Sequence, residues 1–277
     1  SDGRVKHIVQ NITDPDIVPY IPDGIGNSTD RQRIPAVLII PGGAFRRLVY
    51  NFEGEDVAKW LNSMGIAAFV LECRLPSDEH DNAEDVPLID AMRAMRVIRG
   101  RAQEFGIDEA KIGVMGFSAG GFMAALLSTA YESDVYADYK YKDEYDKLSA
   151  RPDFAVCSYP VISIDDCIEA GKRYMSEEQV LERISDSKAK ILHKYNPDKL
   201  VRPDMPPVFI CETDDDRTAL SENSVGFYMA ARKAGVSAEL HIFRTGGHGY
   251  GCGDDFAQTG EWKVLFTKWI KSIGIIS

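Results

Sequence analysis

The sequence predicts an α/β fold, with a mostly parallel central sheet that helices cover on both faces. The first observation behind this prediction is a series of short, continuously apolar runs, which are typical of strands buried on both faces. The second is that segments of helical period separate these runs, and that glycines end several of them. Because this alternation extends over all 277 residues, a single domain over 1–277 is expected, with a small cap-like insertion at 161–206.

The first half of the chain supplies edge strands, two buried strands and two helices. Residues 4–22 are β-like, but Pro15, Pro19 and Pro22 restrict them to a sheet edge. After a polar loop at 23–34, the pattern predicts strands at Ala36–Ile40 and Ile66–Leu71, and helices at Glu55–Met64 and Leu88–Phe105. Gly65 and Gly106 follow these helices, where a left-handed residue commonly ends a helix.

The second half continues the alternation with one interruption. Strands are predicted at Ile112–Met115, Phe154–Tyr159, Val208–Cys211 and Val236–Phe243, and helices at Gly121–Thr129, Ser221–Ala234 and Glu261–Ile270. Ser221 is expected to cap the second of these helices. A tyrosine-rich, charged surface excursion is expected at 131–151, and the polar segment 161–206 interrupts the alternation.

The composition limits the classes of partner. With 32 basic and 43 acidic residues the net charge is −11, so neither a nucleic-acid backbone nor an anionic membrane surface is an expected partner. No apolar stretch approaches the ~18–20 residues that span a bilayer. A cytoplasmic location is expected, with a removed leader left open because the chain begins Ser-Asp-Gly. The sequence leaves the oligomeric state open.

The five cysteines form no pattern typical of a disulfide framework or a zinc site. Their number is odd, they are widely spaced, and no two form a C-x-x-C pair: Cys73, Cys157, Cys167, Cys211 and Cys252. The pattern indicates a reduced chain. Neither a metal nor an organic cofactor is expected.

Residues 111–121 contain the motif on which the functional prediction depends. Gly116-Phe117-Ser118-Ala119-Gly120 lies between a predicted strand and a predicted helix, the context in which G-x-S-x-G forms a nucleophile elbow. The tight turn requires a strained serine, and the two glycines leave room for the neighbouring chain. Ser118 is therefore the candidate nucleophile, and a glycine-rich turn with an incidental serine is the alternative.

A serine nucleophile needs a base, and His248 is the candidate among five histidines. It lies in the glycine-rich loop Thr245–Gly251, directly after the last predicted strand, whereas His241 lies within that strand. The acidic run 212–216 follows the strand before it and offers the carboxylate that orients such a base. The order of serine, acid and histidine is that of α/β-hydrolases.

The remaining requirement is a set of donors for the oxyanion. Pro41-Gly42-Gly43-Ala44-Phe45 follows the predicted strand Ala36–Ile40 and offers backbone N–H groups without bulky side chains before Phe45. A plain turn is the alternative interpretation. Because the required parts lie on separate loops, each after a predicted strand, the sequence predicts a hydrolase.

Further motifs accompany the elbow, the oxyanion segment and the loop of His248. They are Cys73–Pro76, Asp90–Ala94, Ser149–Phe154 and Glu222–Ser224. With them the chain, from about Ala36 to Ile270, resembles α/β-hydrolases of the esterase/lipase group, which includes acetyl-xylan-esterase-like and hormone-sensitive-lipase-like enzymes. The resemblance implies that Ser118 is the nucleophile, that His248 is the base, and that the amides of Gly43, Ala44 and Ala119 form the oxyanion hole.

The chain departs from these relatives in two places. Pro41-Gly42-Gly43-Ala44 stands where they often carry His-Gly-Gly-Gly, which leaves the backbone donors intact. Asp216 is followed by Arg-Thr-Ala-Leu where they often carry D-x-V-V-P; counting back from the helix favours Asp216 as the triad acid, with Asp215 as the alternative. Asp90 and Arg93 match a family pair and are predicted to form an ion pair that supports the elbow.

The predicted activity is hydrolysis of short acyl esters by Ser118, Asp216 and His248 through an acyl-enzyme, and acetylated carbohydrate is the suggested substrate. A small-molecule or carbohydrate ester is thus the expected partner. A serine peptidase or amidase, a longer-chain lipase and a catalytically silent binding protein are the alternatives. Phe45 and Tyr250 are candidate substrate-binding residues, because rings so close to the nucleophile would shorten the acyl pocket.

Overall fold

A computed structural model describes residues 5–24, 33–78, 80–137, 139–173, 175–176, 178–180, 190–253 and 258–277. The strands within these residues are β1 (Ile8–Val9), β2 (Asp16–Tyr20), β3 (Ile34–Ile40), β4 (Leu48–Val49), β5 (Ala67–Glu72), β6 (Ile107–Phe117), β7 (Ala155–Ser158), β8 (Val208–Thr213) and β9 (Ala238–Phe243). Seven of them form one sheet in the order β2-β5-β3-β6-β7-β8-β9, and β1 pairs with β4.

The α-helices of the described residues are α1 (Asp56–Ser63), α2 (Val86–Gly100), α3 (Ala102–Phe105), α4 (Ala119–Ala130), α5 (Ile164–Lys172), α6 (Lys190–Lys194), α7 (Ser221–Lys233) and α8 (Trp262–Ser272). A π-helical turn at Asn51–Glu55 leads directly into α1. In the parts of the chain described above, no helix is both long and apolar enough to cross a membrane.

The sheet is mostly parallel, as predicted. Among its described strands, β2 runs antiparallel to its neighbour β5, and the other adjacent pairs are parallel. Pro19 lies in β2, opposite Phe69 of β5. A proline cannot donate a ladder hydrogen bond, so its position on the outermost strand matches the prediction of an edge.

Helices cover both faces of the sheet. Along β3, Leu38 and Ile40 belong to one buried cluster and Val37 and Ile39 to another, since successive side chains of a strand point to opposite faces. The first cluster takes in buried residues of α2, α4 and α7, and the second takes in those of α1 and α8. The predicted α/β architecture, with helices on both faces, is confirmed.

Some element boundaries differ from the predicted ones. The helix predicted over Leu88–Phe105 is broken at Arg101, which separates α2 from α3. A Cβ on Gly100 would lie 2.3 Å from the ring of Tyr145, so the chain needs its smallest residue, a weak helix former, at this point. The strand predicted at Ile112–Met115 is longer, and α7 has Leu220 as its N-cap, so the prediction of Ser221 there is wrong.

The segment 161–206 packs against the sheet domain through its described residues. Ile162, Ile191 and Met205 are buried in the cluster that contains α4 and α7. Backbone amides of Ile162 and Ser163 donate to Asn223 Oδ1 of α7, at 2.8 and 2.9 Å. Residues 174, 177 and 181–189 lie outside the described residues, and the cap-like character of the segment stays a prediction.

Candidate active site

Ser118 lies between β6 and α4 in a conformation that few residues adopt. Its φ and ψ angles are 54° and −119°. Strain of this kind persists where the surroundings enforce it. A Cβ on Gly116 would lie 1.9 Å from the carbonyl oxygen of Gly120, and one on Gly120 would lie 1.9 Å from that of Ile40. The two glycines therefore permit the close chain crossing that the elbow motif predicts.

Ser118, His248 and Asp216 form one hydrogen-bonded relay. Ser118 Oγ lies 2.7 Å from His248 Nε2, and His248 Nδ1 lies 2.6 Å from Asp216 Oδ2. Because an ionised carboxylate can only accept, Nδ1 carries the proton and leaves Nε2 to accept from the serine. His241, by contrast, lies in β9 with its Nε2 2.7 Å from Glu239.

The two aspartates that the sequence left open have different surroundings. The Asp216 side chain is fully buried, and its Oδ1 accepts from the amides of Thr218 and Ala219 at 2.7 and 2.9 Å. Asp215 Oδ1 instead accepts from the amides of Gly246 and Gly247 at 2.9 and 2.8 Å. These bonds, that to Gly247 above all, lower the pKa of Asp215. Asp216 thus contacts the imidazole, while Asp215 anchors the loop that carries it.

The segment after β3 forms a tight loop beside the elbow. Ala44 and Phe45 both have positive φ angles, of 57° and 58°, and Gly43 has a φ of 141°. A Cβ on Gly42 would lie 2.4 Å from the carbonyl oxygen of Phe117, so this loop contacts the end of β6 directly. The close approach brings the predicted oxyanion donors next to the first turn of α4, where Ala119 is the first helical residue.

A small, partly open cavity lies beside this loop. Gly43 and Ala119 line it, together with Leu48, Leu75 and Met123 among other apolar residues. Ala44 is exposed and lies outside the lining. The cavity is thus bounded on one side by two of the three residues predicted to donate to the oxyanion.

The two candidate substrate-binding residues lie in different places. Phe45 lines the cavity, and its ring packs edge-on against Phe122, with centroids 5.6 Å apart. Tyr250 is buried and packs against Tyr159, with ring centroids 4.4 Å apart. The lining residues do not include Tyr250. Phe45 thus lies at the cavity beside the oxyanion segment and Tyr250 lies away from that cavity, and the substrate-binding role of each stays a prediction.

Asp90 and Arg93 do not pair with each other, so the predicted ion pair is wrong. The buried Asp90 accepts from Arg74 Nη2 at 2.6 Å and from the Arg74 amide at 2.9 Å. Arg93 donates to Asp143 at 2.8 and 2.6 Å and to Asp146 at 3.3 Å. Asp90 thus fixes the chain after β5, whereas Arg93 ties α2 to the excursion at 131–151.

Two buried carboxyl groups next to the relay escaped the sequence analysis. Glu53, in the π-helical turn, accepts from the Gly42 amide and from the Tyr159 hydroxyl. Glu212, at the end of β8, lies beside Asp216. Glu53 had no signal in the sequence, since it stands in a polar stretch before a helix. Glu212 did have a signal in the sequence. It belongs to the acidic run 212–216 and lies at the end of an otherwise apolar strand, where a glutamate is unusual.

The surroundings of the Glu212 carboxyl favour its protonated form. Burial, followed by the negative charge of Asp216, raises the pKa of Glu212 well above its ordinary value. Its oxygens accept from the Thr213 amide at 2.9 Å and from Ser224 Oγ at 3.3 Å. Two adjacent buried carboxylates would repel each other, and a protonated Glu212 can instead donate to Asp216.

We expect Glu212→Gln to stabilise the protein as the pH rises. In the unfolded chain Glu212 loses its proton near pH 4.5, whereas in the folded protein its raised pKa keeps the proton bound to higher pH. Native stability therefore declines above that pH until the raised folded pKa is reached, by up to about 1.4 kcal/mol per pH unit. Glutamine cannot ionise, so in urea unfolding the variant should gain stability relative to the native protein as the pH rises from 4.5 towards neutrality. An advantage that shrinks across this window would contradict a raised pKa.

The sheet order, the strand–elbow–helix crossing and the chain order of Ser118, Asp216 and His248 together define an α/β-hydrolase fold. Comparison with known proteins agrees with this class. The BD-FAE family model matches residues 25–230, which is most of the chain. The protein belongs to the BD-FAE family, and its structural neighbours are esterases of the α/β-hydrolase fold.

Similar proteins of known sequence carry xylan-related names. The chain is 31% identical over 240 residues to an acetylxylan esterase of Xylanibacter ruminicola, matching 86% of this chain and 45% of that protein. It is 31% identical over 227 residues to endo-1,4-beta-xylanase B of Butyrivibrio fibrisolvens, matching 82% of this chain and 34% of that protein. The chain thus matches less than half the length of either relative.

Solved structures match along nearly the whole chain. An acetyl ester-xyloside bifunctional hydrolase from Caldicellulosiruptor lactoaceticus has 35% identity and a TM-score of 0.77, with 98% of each chain covered. The carboxylesterase Cest-2923 of Lactobacillus plantarum has a TM-score of 0.78 at 21% identity, with 99% of this chain and 98% of that chain covered. The second likeness bears on the fold alone.

Proposed function

We propose that the protein is a serine carboxylesterase that removes short acyl groups, with acetylated carbohydrate as its substrate class. The observation that carries the proposal is the relay from Ser118 Oγ through His248 to Asp216, with distances of 2.7 and 2.6 Å. The names of the acetylxylan esterase and the acetyl ester-xyloside hydrolase support the choice of substrate. A fold alone would not support it, because one scaffold serves many chemistries.

The reaction proceeds in two acyl-transfer steps. His248 Nε2 takes the proton of Ser118 Oγ as the oxygen attacks the ester carbonyl carbon, and Asp216 stabilises the resulting imidazolium. The imidazolium then protonates the leaving alcohol, which departs and leaves an acyl-enzyme. A water molecule, deprotonated by His248 in the same way, attacks the acyl-enzyme and releases the carboxylic acid.

The oxyanion of each tetrahedral intermediate is stabilised by backbone amides. Ala119 is the first residue of the 12-residue helix α4, so its N–H lies at the positive end of the helix dipole. The amides of Gly43 and Ala44 are the other proposed donors. Removing one such donor typically costs ~2.7–4 kcal/mol of transition-state stabilisation. The packing of Gly42 against Phe117 keeps these donors close to the nucleophile.

The cavity beside Ala119 favours short acyl groups, and we expect kcat/KM to fall steeply beyond about four carbons, since each methylene contributes about 10–200-fold in discrimination. The bulky side chains of Phe45, Leu75 and Met123 line the cavity. The measurement is kcat/KM for p-nitrophenyl acetate, butyrate and octanoate. If octanoate equals or exceeds acetate, the lipase alternative replaces the short-chain proposal.

Phe45→Ala supplies the matched variant for this measurement. At a φ of 58° alanine is as strained as phenylalanine, so the change enlarges the cavity with little effect on the loop backbone. The ratio of kcat/KM for octanoate to that for acetate should therefore rise in the variant.

Release of acetate from acetylated xylan, compared with cleavage of an acetyl anilide, distinguishes the esterase from the amidase alternative.

A further inference from the structure

A buried carboxyl group, that of Glu53, contacts the oxyanion loop (Pro41–Phe45) and lies outside the relay. Glu53 is 5% exposed and belongs to the π-helical turn before α1. π-Helical turns are rare in proteins, and those that occur often lie at functional sites. Its Oε2 accepts from the Gly42 amide at 2.8 Å, and its Oε1 accepts from the Tyr159 hydroxyl at 2.9 Å. Both oxygens of this buried carboxyl group thus accept hydrogen bonds from donors of other elements.

Tyr159 carries this contact onward to the loop of His248. Its hydroxyl oxygen accepts from the Gly251 amide at 3.0 Å, and its ring lies edge-on to the His248 ring, with centroids 5.0 Å apart. Tyr159 has a φ of 37°, which is strained for a non-glycine residue. A chain of donors therefore runs from Gly251 through Tyr159 to Glu53.

Glycines at both ends of this chain have no space for a side chain. A Cβ on Gly42 would lie 2.8 Å from Glu53 Oε2. A Cβ on Gly251 would lie 2.8 Å from the carbonyl oxygen of Phe52, within the same π-helical turn. The turn therefore touches the oxyanion loop on one side and the histidine loop on the other.

We propose that Glu53 is a positioning residue that sets the oxyanion loop against the histidine loop, by accepting from the Gly42 amide and from the Tyr159 hydroxyl. The inference rests on the proposed function, since it concerns the same transition state. The amide that donates to Glu53 is that of Gly42, the residue directly before Gly43. Its orientation therefore constrains the direction of the next amides, those of Gly43 and Ala44. Glu53 contacts neither the substrate nor Ser118 in this assignment.

The hydrogen bonds that each variant at Glu53 or Tyr159 can still form predict a graded loss of kcat and of ketone affinity. Glu53→Leu leaves the buried Gly42 amide without its acceptor, so the loop must rearrange. Glutamine at 53 can accept from Gly42 with its oxygen and donate to Tyr159 with its nitrogen, so Glu53→Gln keeps part of the arrangement. Tyr159→Phe keeps the ring against His248 and removes the link from Glu53 to Gly251.

The experiment measures kcat and KM for hydrolysis of p-nitrophenyl acetate. It also measures the binding affinity for a trifluoromethyl ketone whose acyl part is the size of an acetyl group. Ser118 Oγ adds to the ketone carbonyl, its proton passes to His248, and the oxyanion that forms occupies the hole. We expect Glu53→Leu to lower kcat by roughly 10²-fold, the size typical of one lost oxyanion donor, with KM little changed. Ketone affinity should fall by a similar factor, with Glu53→Gln intermediate and Tyr159→Phe also impaired.

Tyr136→Phe is the matched control for loss of a buried tyrosine hydroxyl. Tyr136 is 6% exposed, and its hydroxyl donates to Asp146 in the excursion at 131–151. This variant should lose some thermal stability and keep native kcat and ketone affinity. It therefore separates a general packing defect from a change at the oxyanion loop.

The outcomes distinguish this inference from the proposed function. If the native protein neither hydrolyses acyl esters nor binds the ketone, the proposed function fails. If the native protein does both, and Glu53→Gln and Tyr159→Phe fold with native kcat and ketone affinity, Glu53 has a structural role alone and the inference is overturned. Parallel losses of kcat and ketone affinity at unchanged KM support it.

Discussion

Ser118→Ala should abolish ester hydrolysis and leave the protein folded. In a well-studied serine protease, loss of the nucleophile alone lowers kcat by about 10⁶-fold. The fold should tolerate the change because alanine is no more strained than serine at a φ of 54°. The variant loses one hydrogen bond, from Oγ to His248 Nε2, which is worth about 1 kcal/mol.

The measurement is kcat with p-nitrophenyl acetate, together with thermal unfolding of the same preparations. Ser128→Ala is a suitable control, because Ser128 lies in α4, the helix that follows Ser118, and its Oγ donates to the Ala124 carbonyl at 2.7 Å, away from the relay. The control should hydrolyse the ester as the native protein does. A Ser118→Ala variant that keeps a substantial part of the native rate would remove Ser118 from the mechanism.

The sequence was sufficient for those features that local pattern determines. Continuous apolar runs mark strands buried on both faces, and Leu38, Ile39 and Ile40 of β3 are indeed covered on both sides. The elbow could be located because its two glycines are required: a Cβ at either position would lie 1.9 Å from a backbone carbonyl oxygen of a neighbouring segment. In both cases the physical requirement is written in consecutive residues.

Features that depend on partners distant in sequence could not be predicted. The spacing of Asp90 and Arg93 suits a helical ion pair, but Asp90 is taken by Arg74, whose amide and guanidinium both reach it. Gly100 interrupts a helix because the ring of Tyr145 packs against it, 45 positions further along the printed sequence. Tertiary packing decides these cases, and local periodicity carries no trace of it.

The site shows the same division. Ser118 and His248 stand in recognisable loops, whereas Glu53 precedes a helix in a stretch with no chemical motif. Its significance depends on Tyr159, 106 residues away. The sequence also could not separate Asp215 from Asp216, because a shift of one residue in a loop does not follow a fixed period. The geometry makes them distinct, and activity measurements can test that distinction.

Asp216→Asn should lower kcat by about 10⁴-fold, as the corresponding change does in a serine protease. Asp216 Oδ1 accepts from the amides of Thr218 and Ala219, so an asparagine oxygen will keep that place. Its amino group then faces His248 Nδ1, where the acid oxygen was. Nδ1 must accept that hydrogen bond, which moves the ring proton to Nε2 and removes the base from Ser118.

Asp215→Asn should change kcat by no more than a factor of a few. A single oxygen, Asp215 Oδ1, accepts from both Gly246 and Gly247, and the carbonyl oxygen of asparagine can take over both bonds. The pair is matched in chemistry and adjacent in sequence, so kcat for p-nitrophenyl acetate compares the two positions directly. If Asp215→Asn proves the more damaging, Asp215 is the triad acid. The loop of His248 would then have to shift when substrate binds, so that the imidazole contacts Asp215 instead of Asp216.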